Sequence, residues 1–187
     1  MKNLRASLSP SLKKAVWNAK YGFLQYPHLS AAEDAVSHLH ANLSSRHTIL
    51  ELGCGRGSLV EGLRQAGWEG CYCGVDISER AIRDARKRED QRSCWIASDA
   101  ESFRSPFQWD AIAMIESVYY IDLDQIPSVL GRLNDMLATD GFLLIRLHDP
   151  EKYRNYVQEI KRCFPQLRIV SGQLLHVSKS PSENGRS

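Results

Sequence analysis

The sequence lacks the features that would direct the chain to a membrane or to a nucleic acid. No stretch approaches the roughly 20 consecutive apolar residues that cross a bilayer, and no apolar signal-peptide segment follows residues 1–7. The 24 basic and 22 acidic side chains leave a net charge of only +2, which attracts phosphate backbones and anionic lipids weakly. We therefore expect neither a membrane partner nor a nucleic-acid partner, and the oligomeric state is left open.

The cysteine pattern excludes the common cysteine-based metal sites. The five cysteines form neither a Cys-x-x-Cys pair nor a cluster with histidine; they are Cys54, Cys71, Cys73, Cys94 and Cys163. Most of them fall in predicted strands or helices, where a free thiol behaves as a small apolar side chain. We therefore predict no metal site, and reduced thiols favour a cytoplasmic location.

Length and residue pattern indicate a single α/β domain. The 187 residues, 43% of them hydrophobic, are enough to bury one core. Two helices come first, the first beginning at Ser9-Pro10 and the second with a capping box from Ser30 to Glu33. Strands and helices then alternate, with predicted strands at 48–52, 71–75, 94–97, 111–115, 142–147, 167–170 and 174–177. This predicts a helical segment 1–46, a core 47–178 and a flexible polar tail 179–187.

The alternation predicts an open, mostly parallel, doubly wound sheet. The last two strands flank Ser171-Gly172 and should form an antiparallel hairpin. Right-handed crossovers would bring the carboxyl ends of the first four strands to one edge, where open sheets bind ligands. An acidic residue stands at or just beyond the end of each of these strands, at Glu51, Asp76, Asp99 and Glu116.

The turn after the first strand carries three alternating glycines. Residues 49–58 read as a buried strand, a turn through Gly53, Gly55 and Gly57, and the beginning of a helix. Glycines allow positive φ and let a ligand lie against bare main chain. The spacing is Gly-x-Gly-x-Gly, whereas a dinucleotide site has Gly-x-Gly-x-x-Gly. Glu51, at the end of the strand, would repel a pyrophosphate, so the turn favours a positively charged nucleoside.

Five blocks in this order and spacing resemble the class I (Rossmann-like) S-adenosylmethionine-dependent methyltransferases. They are ELGCGRG at 51–57, GVDIS at 74–78, SDAE at 98–101, WDAI at 109–112 leading into ESVYY at 116–120, and LATDGFLLI at 137–145. The resemblance covers roughly residues 48–177. It implies a seven-stranded, mostly parallel sheet with the last strand inserted beside the fifth, an N-terminal helical lid, and S-adenosyl-L-methionine as cofactor.

The resemblance also implies roles for the residues at the sheet edge. Asp76 should accept hydrogen bonds from the ribose hydroxyls, Ile77 should pack on the adenine, and Asp99 and the Ala100 amide should bind its edge. The methionine half should lie against the backbone of the glycine turn, with Glu51 favouring its ammonium group. The residues expected to line that half are Gly53, Cys54, Gly55 and Ile115.

The reaction implied is an in-line displacement of the methyl group by an oxygen or nitrogen atom of a small molecule. Alignment alone can supply roughly 7–11 kcal/mol of such a barrier, and a base is needed only if the acceptor must lose a proton. Glu116 and His148 are the candidate catalytic residues. Trp17 and Tyr21 of the first helix could shield a sulfonium or stack on a planar acceptor.

Simpler interpretations of these residues stay open. Asp99 could only cap a turn, Glu116 could cap the following helix, and His148 could be a strand-end residue bonded to backbone. The resemblance is strongest to small-molecule enzymes, including the nodulation-factor type, through residues 116–120. The chain has neither the Asp/Asn-Pro-Pro-aromatic motif nor the Pro-Cys pair of base-modifying methyltransferases. A non-catalytic partner subunit, a protein or RNA methyltransferase and a nicotinamide-dependent oxidoreductase are the alternatives.

Overall fold

The computed structural model describes residues 7–23, 32–88 and 90–179. Its helices are α1 (Pro10–Phe23), α2 (Glu33–Asn42), α3 (Ser58–Gln65), α4 (Glu79–Arg86), α5 (Ile126–Asp135) and α6 (Arg154–Cys163). Its strands are β1 (Thr48–Leu52), β2 (Cys71–Asp76), β3 (Ser93–Ala97), β4 (Trp109–Ile115), β5 (Leu137–Arg146), β6 (Arg168–Ser171) and β7 (Leu174–Ser178). Ser30 of the predicted capping box and residues 180–187 of the predicted tail lie outside the described residues.

The seven strands form one sheet in the order β3-β2-β1-β4-β5-β7-β6. The first five pair in parallel, whereas β7 is antiparallel to both β5 and β6. The predicted fold class is confirmed, including the last strand beside the fifth. Because β1, β2, β3 and β4 are parallel, their carboxyl ends form a single edge of the sheet.

Helices cover the two faces of the sheet in separate groups. The residues of α2, α3 and α4 pack with Ile49, Tyr72 and Trp95 on one face. The residues of α5 and α6 pack with Leu50, Val75 and others on the opposite face. The strand β4 is buried on both sides, which explains why its sequence is continuously apolar rather than alternating. The face on which a strand residue lies therefore decides which group of helices it packs against.

Several predicted boundaries differ from the structure. The helix α2 begins at Glu33 with Ala32 as its N-cap, whereas the capping box was predicted from Ser30, which lies outside the described residues. The strand β5 begins at Leu137, which pairs with Trp109 before an irregularity that lets Phe142 pair with Ala111. The helix α6 begins at Arg154 and not at Asp149; Asp149 instead accepts from the Lys152 amide at 3.0 Å in the turn before it. None of these shifts moves the edge that carries the acidic residues.

The helices of the described ranges are too short or too polar to cross a membrane. In the same ranges, no three His, Cys, Asp or Glu side chains are grouped as ligands of a metal ion.

Candidate active site

A cleft lies at the carboxyl ends of β1, β2, β3 and β4, and α1 lies across it. Its lining combines acidic, aromatic and small side chains: Lys13, Trp17, Tyr21, Gly53, Asp76, Ile77, Ser98, Asp99, Ala100, Glu101, Ile115, Glu116, Ser117, Tyr120 and Ile121. Seven of the predicted site residues are among them. Four predicted site residues do not line the cleft: Glu51, Cys54, Gly55 and His148. Each of them lies close to a residue that does.

The glycine turn is held by hydrogen bonds of its own amides. The Gly53 and Cys54 amides both donate to the Val75 carbonyl, at 2.8 and 3.0 Å. The Gly55 amide donates to Asp76 Oδ2 at 2.9 Å. Gly53 has φ +82°, and a Cβ there would lie 2.4 Å from the Ser117 Cβ, so only glycine fits. Because these three amides already donate within the protein, they are not available as donors to a ligand phosphate.

Asp76 is the best-organised acidic group of the cleft. Its side chain is buried, and it accepts from the Ser78 amide at 2.8 Å and from Gly55 through the other oxygen. Burial raises the pKa of Asp76 to about 6, while these two amide bonds act in the opposite direction. The carboxylate is therefore rigidly oriented, and each of its oxygens retains a further lone pair for a ligand hydroxyl.

The segment after β3 supplies Asp99 and Ala100. Asp99 Oδ1 accepts from the Glu101 amide at 3.1 Å, so this side chain does organise a turn, as the simpler interpretation proposed. It also lines the cleft, and the two roles are compatible because only one oxygen serves the turn. The Ala100 carbonyl accepts from Arg132 at 2.9 Å, which fixes the backbone beside Asp99.

Glu51 is buried and accepts a hydrogen bond from the Tyr72 hydroxyl. Burial raises the pKa of Glu51 to about 7; the Tyr72 bond lowers it and the Asp76 charge raises it further. Sequence reasoning placed Glu51 facing the crevice and missed Tyr72, which lies 21 residues further along the chain and belongs to no recognisable motif. Its carboxyl group thus lies behind the turn, bonded to Tyr72, without lining the cleft.

A second cluster gathers around Glu116, just after β4. Glu116 has φ 55°, which is uncommon for a residue with a side chain and often marks a functional position. Its Oε2 accepts from the His148 amide at 2.9 Å, from His148 Nδ1 at 2.8 Å and from the Tyr119 hydroxyl at 3.0 Å. Its Oε1 pairs with Arg146. The structure therefore brings the two predicted catalytic residues into direct contact.

The contact with Glu116 determines which ring nitrogen of His148 acts as a donor. A carboxylate can only accept, so Nδ1 donates in this contact, and Nε2 is the nitrogen that bears the lone pair when the ring is neutral. The His148 side chain is 50% exposed, so its Nε2 edge can be reached from solvent. Tyr119 packs edge-on against this ring at 5.6 Å and stacks on Tyr153 at 4.1 Å.

The helix α1 is attached to the rim by polar and aromatic contacts. Lys13 pairs with Glu101, and the Ser78 hydroxyl donates to Asn18 at 2.8 Å. Trp17 packs edge-on against Tyr120 with ring centroids 4.8 Å apart. The Tyr21 hydroxyl lies 2.7 Å from the position that a Cβ on Gly55 would occupy. These contacts place α1 directly over the glycine turn and the ends of β2, β3 and β4.

A family model described as a methyltransferase domain matches residues 24–176. The chain belongs to this methyltransferase family. The match spans β1 to β7 and therefore contains every acidic residue of the cleft.

Two characterised relatives resemble this methyltransferase domain in sequence. Nodulation protein S of Rhizobium tropici is 30% identical over 102 residues, 51% of this chain and 40% of that protein. Malonyl-[acyl-carrier protein] O-methyltransferase of Bacillus cereus is 27% identical over 143 residues, 70% of this chain and 52% of that protein. The chain thus spans about half the length of these relatives.

Two solved structures share the fold of the methyltransferase domain. The N-methyltransferase NodS of Bradyrhizobium japonicum WM9, in complex with S-adenosyl-L-homocysteine, has a TM-score of 0.65 and 23% identity over 80% of this chain and 86% of that one. Magnesium protoporphyrin IX methyltransferase of Synechocystis PCC 6803, with bound SAM, has a TM-score of 0.66 and 15% identity over 94% and 99%.

Three partners in the methyltransferase domain were not found by sequence reasoning. Arg146 pairs with Glu116, and it also contacts Asp34 at 2.7 Å and Gln173 at 2.6 Å. A charged residue directly after the apolar run 142–145 was a usable signal for it. Lys13 and Tyr72 had no comparable signal, because their partners lie 88 and 21 residues away.

Proposed function

We propose that this methyltransferase domain moves a methyl group from S-adenosyl-L-methionine to an oxygen or nitrogen atom of a small-molecule acceptor. The observation that carries the proposal is the oriented, buried carboxylate of Asp76 beside the glycine turn. When bound, the cofactor supplies a methyl group already activated by a sulfonium. The chain's own residues then have to bind, align and, where needed, remove a proton.

The donor and acceptor groups of the cleft fit such a cofactor. Asp76 offers carboxylate lone pairs to vicinal hydroxyls, and charge-assisted bonds of this kind are about twice as strong as neutral ones. Asp99 keeps one oxygen for an amino group, and Ile77 and Ile115 supply apolar surface. The amides of Gly53, Cys54 and Gly55 in the glycine turn already donate within the protein. A pyrophosphate would find few amide donors at this turn, which disfavours a nicotinamide dinucleotide.

The proposed catalytic step uses the contact between Glu116 and His148. Nε2 of His148 would take a proton from the attacking hydroxyl group, or from an ammonium group so that the resulting amine can attack, and Glu116 would stabilise the imidazolium through Nδ1–H. Arg146 holds the other oxygen of Glu116, so the carboxylate keeps its orientation as the charge of the ring changes. The aromatic rings of Tyr119 and Tyr120 would form the wall on the acceptor side.

The proposal also covers the organisation of the chain. Residues 1–46 would act as a lid, 47–178 as the catalytic core and 179–187 as a flexible tail. The contacts of α1 with Glu101, Ser78 and Tyr120 support the lid, since they span the cleft. A cytoplasmic location is supported by the five cysteines, all of which are free thiols.

The proposal is tested by titration calorimetry with S-adenosyl-L-methionine and with NADH. We expect the first to bind and the second not to bind. Asp76→Ala should weaken the affinity at least tenfold, which corresponds to about 1.4 kcal/mol. Asp110→Ala is the matched control, because Asp110 binds Thr48 at 2.8 Å at the opposite edge of the sheet. Equal affinities of wild type and Asp76→Ala would refute the ribose assignment.

Turnover needs a second measurement. Formation of S-adenosyl-L-homocysteine should be followed with a panel of small hydroxyl and amine acceptors. Product formation with at least one acceptor would support an enzyme. Tight cofactor binding without turnover on any acceptor would instead favour the non-catalytic partner subunit.

A further inference from the structure

Two cysteines face each other across neighbouring strands, away from the cleft. Cys73 of β2 and Cys94 of β3 are partners in the parallel register, so their side chains lie on the same face of the sheet. Adjacent strands are about 4.8 Å apart, which falls within the Cα separation of about 4.4–6.8 Å that a disulfide spans. Both are free thiols. The backbone therefore already holds the two sulfur atoms within reach of each other.

The surroundings make one thiol accessible and shelter the other. The chain runs from β3 to β4 through residues 98–108, all described, without forming a helix. The face of β3 that carries Cys94 is consequently open: Cys94 is exposed and Ile96 is 38% exposed. Cys73, on the neighbouring strand, is only 2% exposed. A reagent from solvent would meet Cys94 first and would find Cys73 behind it.

Their chemistry is also unequal. A hydrogen bond with Cys73 lowers the pKa of the Cys94 thiol to about 7. The same bond, with burial, raises the pKa of Cys73. A thiol whose pKa lies near ambient pH is the most effective attacking group in disulfide exchange. Cys94 is thus suited to attack and Cys73 to remain protonated until a mixed disulfide has formed.

We propose that Cys73 and Cys94 form a redox site that reacts with low-molecular-weight disulfides such as oxidised glutathione. The Cys94 thiolate attacks one glutathione sulfur and expels the other glutathione as its thiolate. Cys73 then loses its proton to solvent and attacks the Cys94 sulfur, which expels the second glutathione thiolate. Two protein thiols are oxidised to one disulfide, and one glutathione disulfide is reduced to two thiols.

The test uses the full-length protein, exposed to oxidised glutathione, trapped with N-ethylmaleimide and digested with trypsin. Cleavage after arginine separates peptide 65–80, which contains Cys71 and Cys73, from peptide 93–104, which contains Cys94. We expect mass spectrometry to find these two peptides joined by a disulfide that dithiothreitol reverses. The absence of this linked pair after complete reaction of Cys94 with glutathione would overturn the proposal.

Two variants identify the sulfur atoms. Cys71→Ser should still give the linked pair, since Cys71 is exposed on the same face but lies outside the register pair. Cys73→Ala should stop at a glutathione adduct on Cys94. A linked pair that persists in Cys73→Ala would assign the bridge to Cys71 and contradict the proposal. Because none of these measurements uses cofactor or turnover, they remain valid if the proposed function fails.

Discussion

His148 Nδ1 lies 2.8 Å from Glu116 Oε2, and this contact joins the segments that follow β4 and β5. Two residues that are 32 positions apart in the chain thereby form one hydrogen-bonded pair. Glu116 has a positive φ of 55°, and its side chain contacts both His148 and Arg146. Residues other than glycine that are held at positive φ cluster at functional sites.

The first prediction concerns His148. Replacing His148 with Gln removes the proposed base and should lower kcat by about 10²–10⁴-fold on an acceptor that must lose a proton. Cofactor affinity should stay within about twofold, because His148 does not line the cofactor side of the cleft. His40→Gln, on the exposed surface of α2, is the matched control. Unchanged kcat in His148→Gln would remove the base assignment.

The second prediction is a pH dependence of cofactor binding. The pKa of Asp76 is raised to about 6 by burial, so the carboxylate is ionised at pH 7.5 and becomes protonated as the pH falls through 6. Protonation removes the negative charge that should bind the ribose hydroxyls. Affinity measured by calorimetry should therefore fall toward pH 5, by up to about tenfold per pH unit below 6.

Asp76→Ala provides the control for this titration. The cofactor affinity of this variant should be weak at every pH. Its change with pH should lack the contribution that comes from the titration of Asp76. A wild-type affinity that is constant from pH 7.5 to pH 5 would contradict the role of an ionised Asp76.

The sheet and its acidic edge could be predicted because both depend on local pattern. The strand β1 begins and ends at the predicted residues, since a buried strand followed by a glycine turn has clear limits. Ser78 caps α4 as predicted, accepting from the Ala81 amide at 3.2 Å. In each case the signal lies within about ten neighbouring residues. Parallel topology then brings the strand ends together without further information.

The partners of the site residues could not be predicted in this way. Glu51 pairs with Tyr72, Glu116 with Arg146 and Lys13 with Glu101, and each pair joins separate elements. Such pairs depend on the register and on rotamers that a single sequence does not encode in a local pattern. This is why sequence reasoning placed Glu51 in the crevice, whereas in the structure its carboxyl group accepts a hydrogen bond from Tyr72.

The third prediction separates two adjacent lysines of α1. Lys13 is 6% exposed and pairs with Glu101 at the cleft. Lys14 pairs with Glu79 at 2.6 Å on the surface, where both side chains are about half exposed. Breaking a sheltered pair leaves an uncompensated charge, whereas an exposed pair contributes only about 0–1 kcal/mol.

Lys13→Ala should therefore loosen α1 and weaken cofactor binding about tenfold, which is about 1.4 kcal/mol. Lys14→Ala should change it less than twofold. Calorimetry on both variants, with circular dichroism to verify folding, makes the comparison. Equal effects of the two substitutions would argue against α1 as a lid.

The last prediction concerns the buried carboxyl group of Glu51. Its pKa is raised by burial from 4.5 to about 7 in the folded chain. The folded state therefore holds this proton between pH 4.5 and 7, where the unfolded state releases it. The resulting contribution to the free energy of unfolding is fully present below pH 4.5 and is lost as the pH rises to 7.

Glu51→Gln cannot ionise, and its amide oxygen can still accept from Tyr72. The free energy of unfolding of Glu51→Gln minus that of the wild type should consequently be larger at pH 8 than at pH 5, by about 2–3 kcal/mol. Urea unfolding of both proteins without cofactor at the two pH values gives this difference, and any constant cost of the amide cancels. Glu69→Gln, at an exposed carboxylate whose pKa is lowered by its hydrogen bond to Arg92, should not show the increase. If the difference in the free energy of unfolding between Glu51→Gln and the wild type did not change with pH, Glu51 would be ionised in the folded protein and would accept from Tyr72 as a carboxylate.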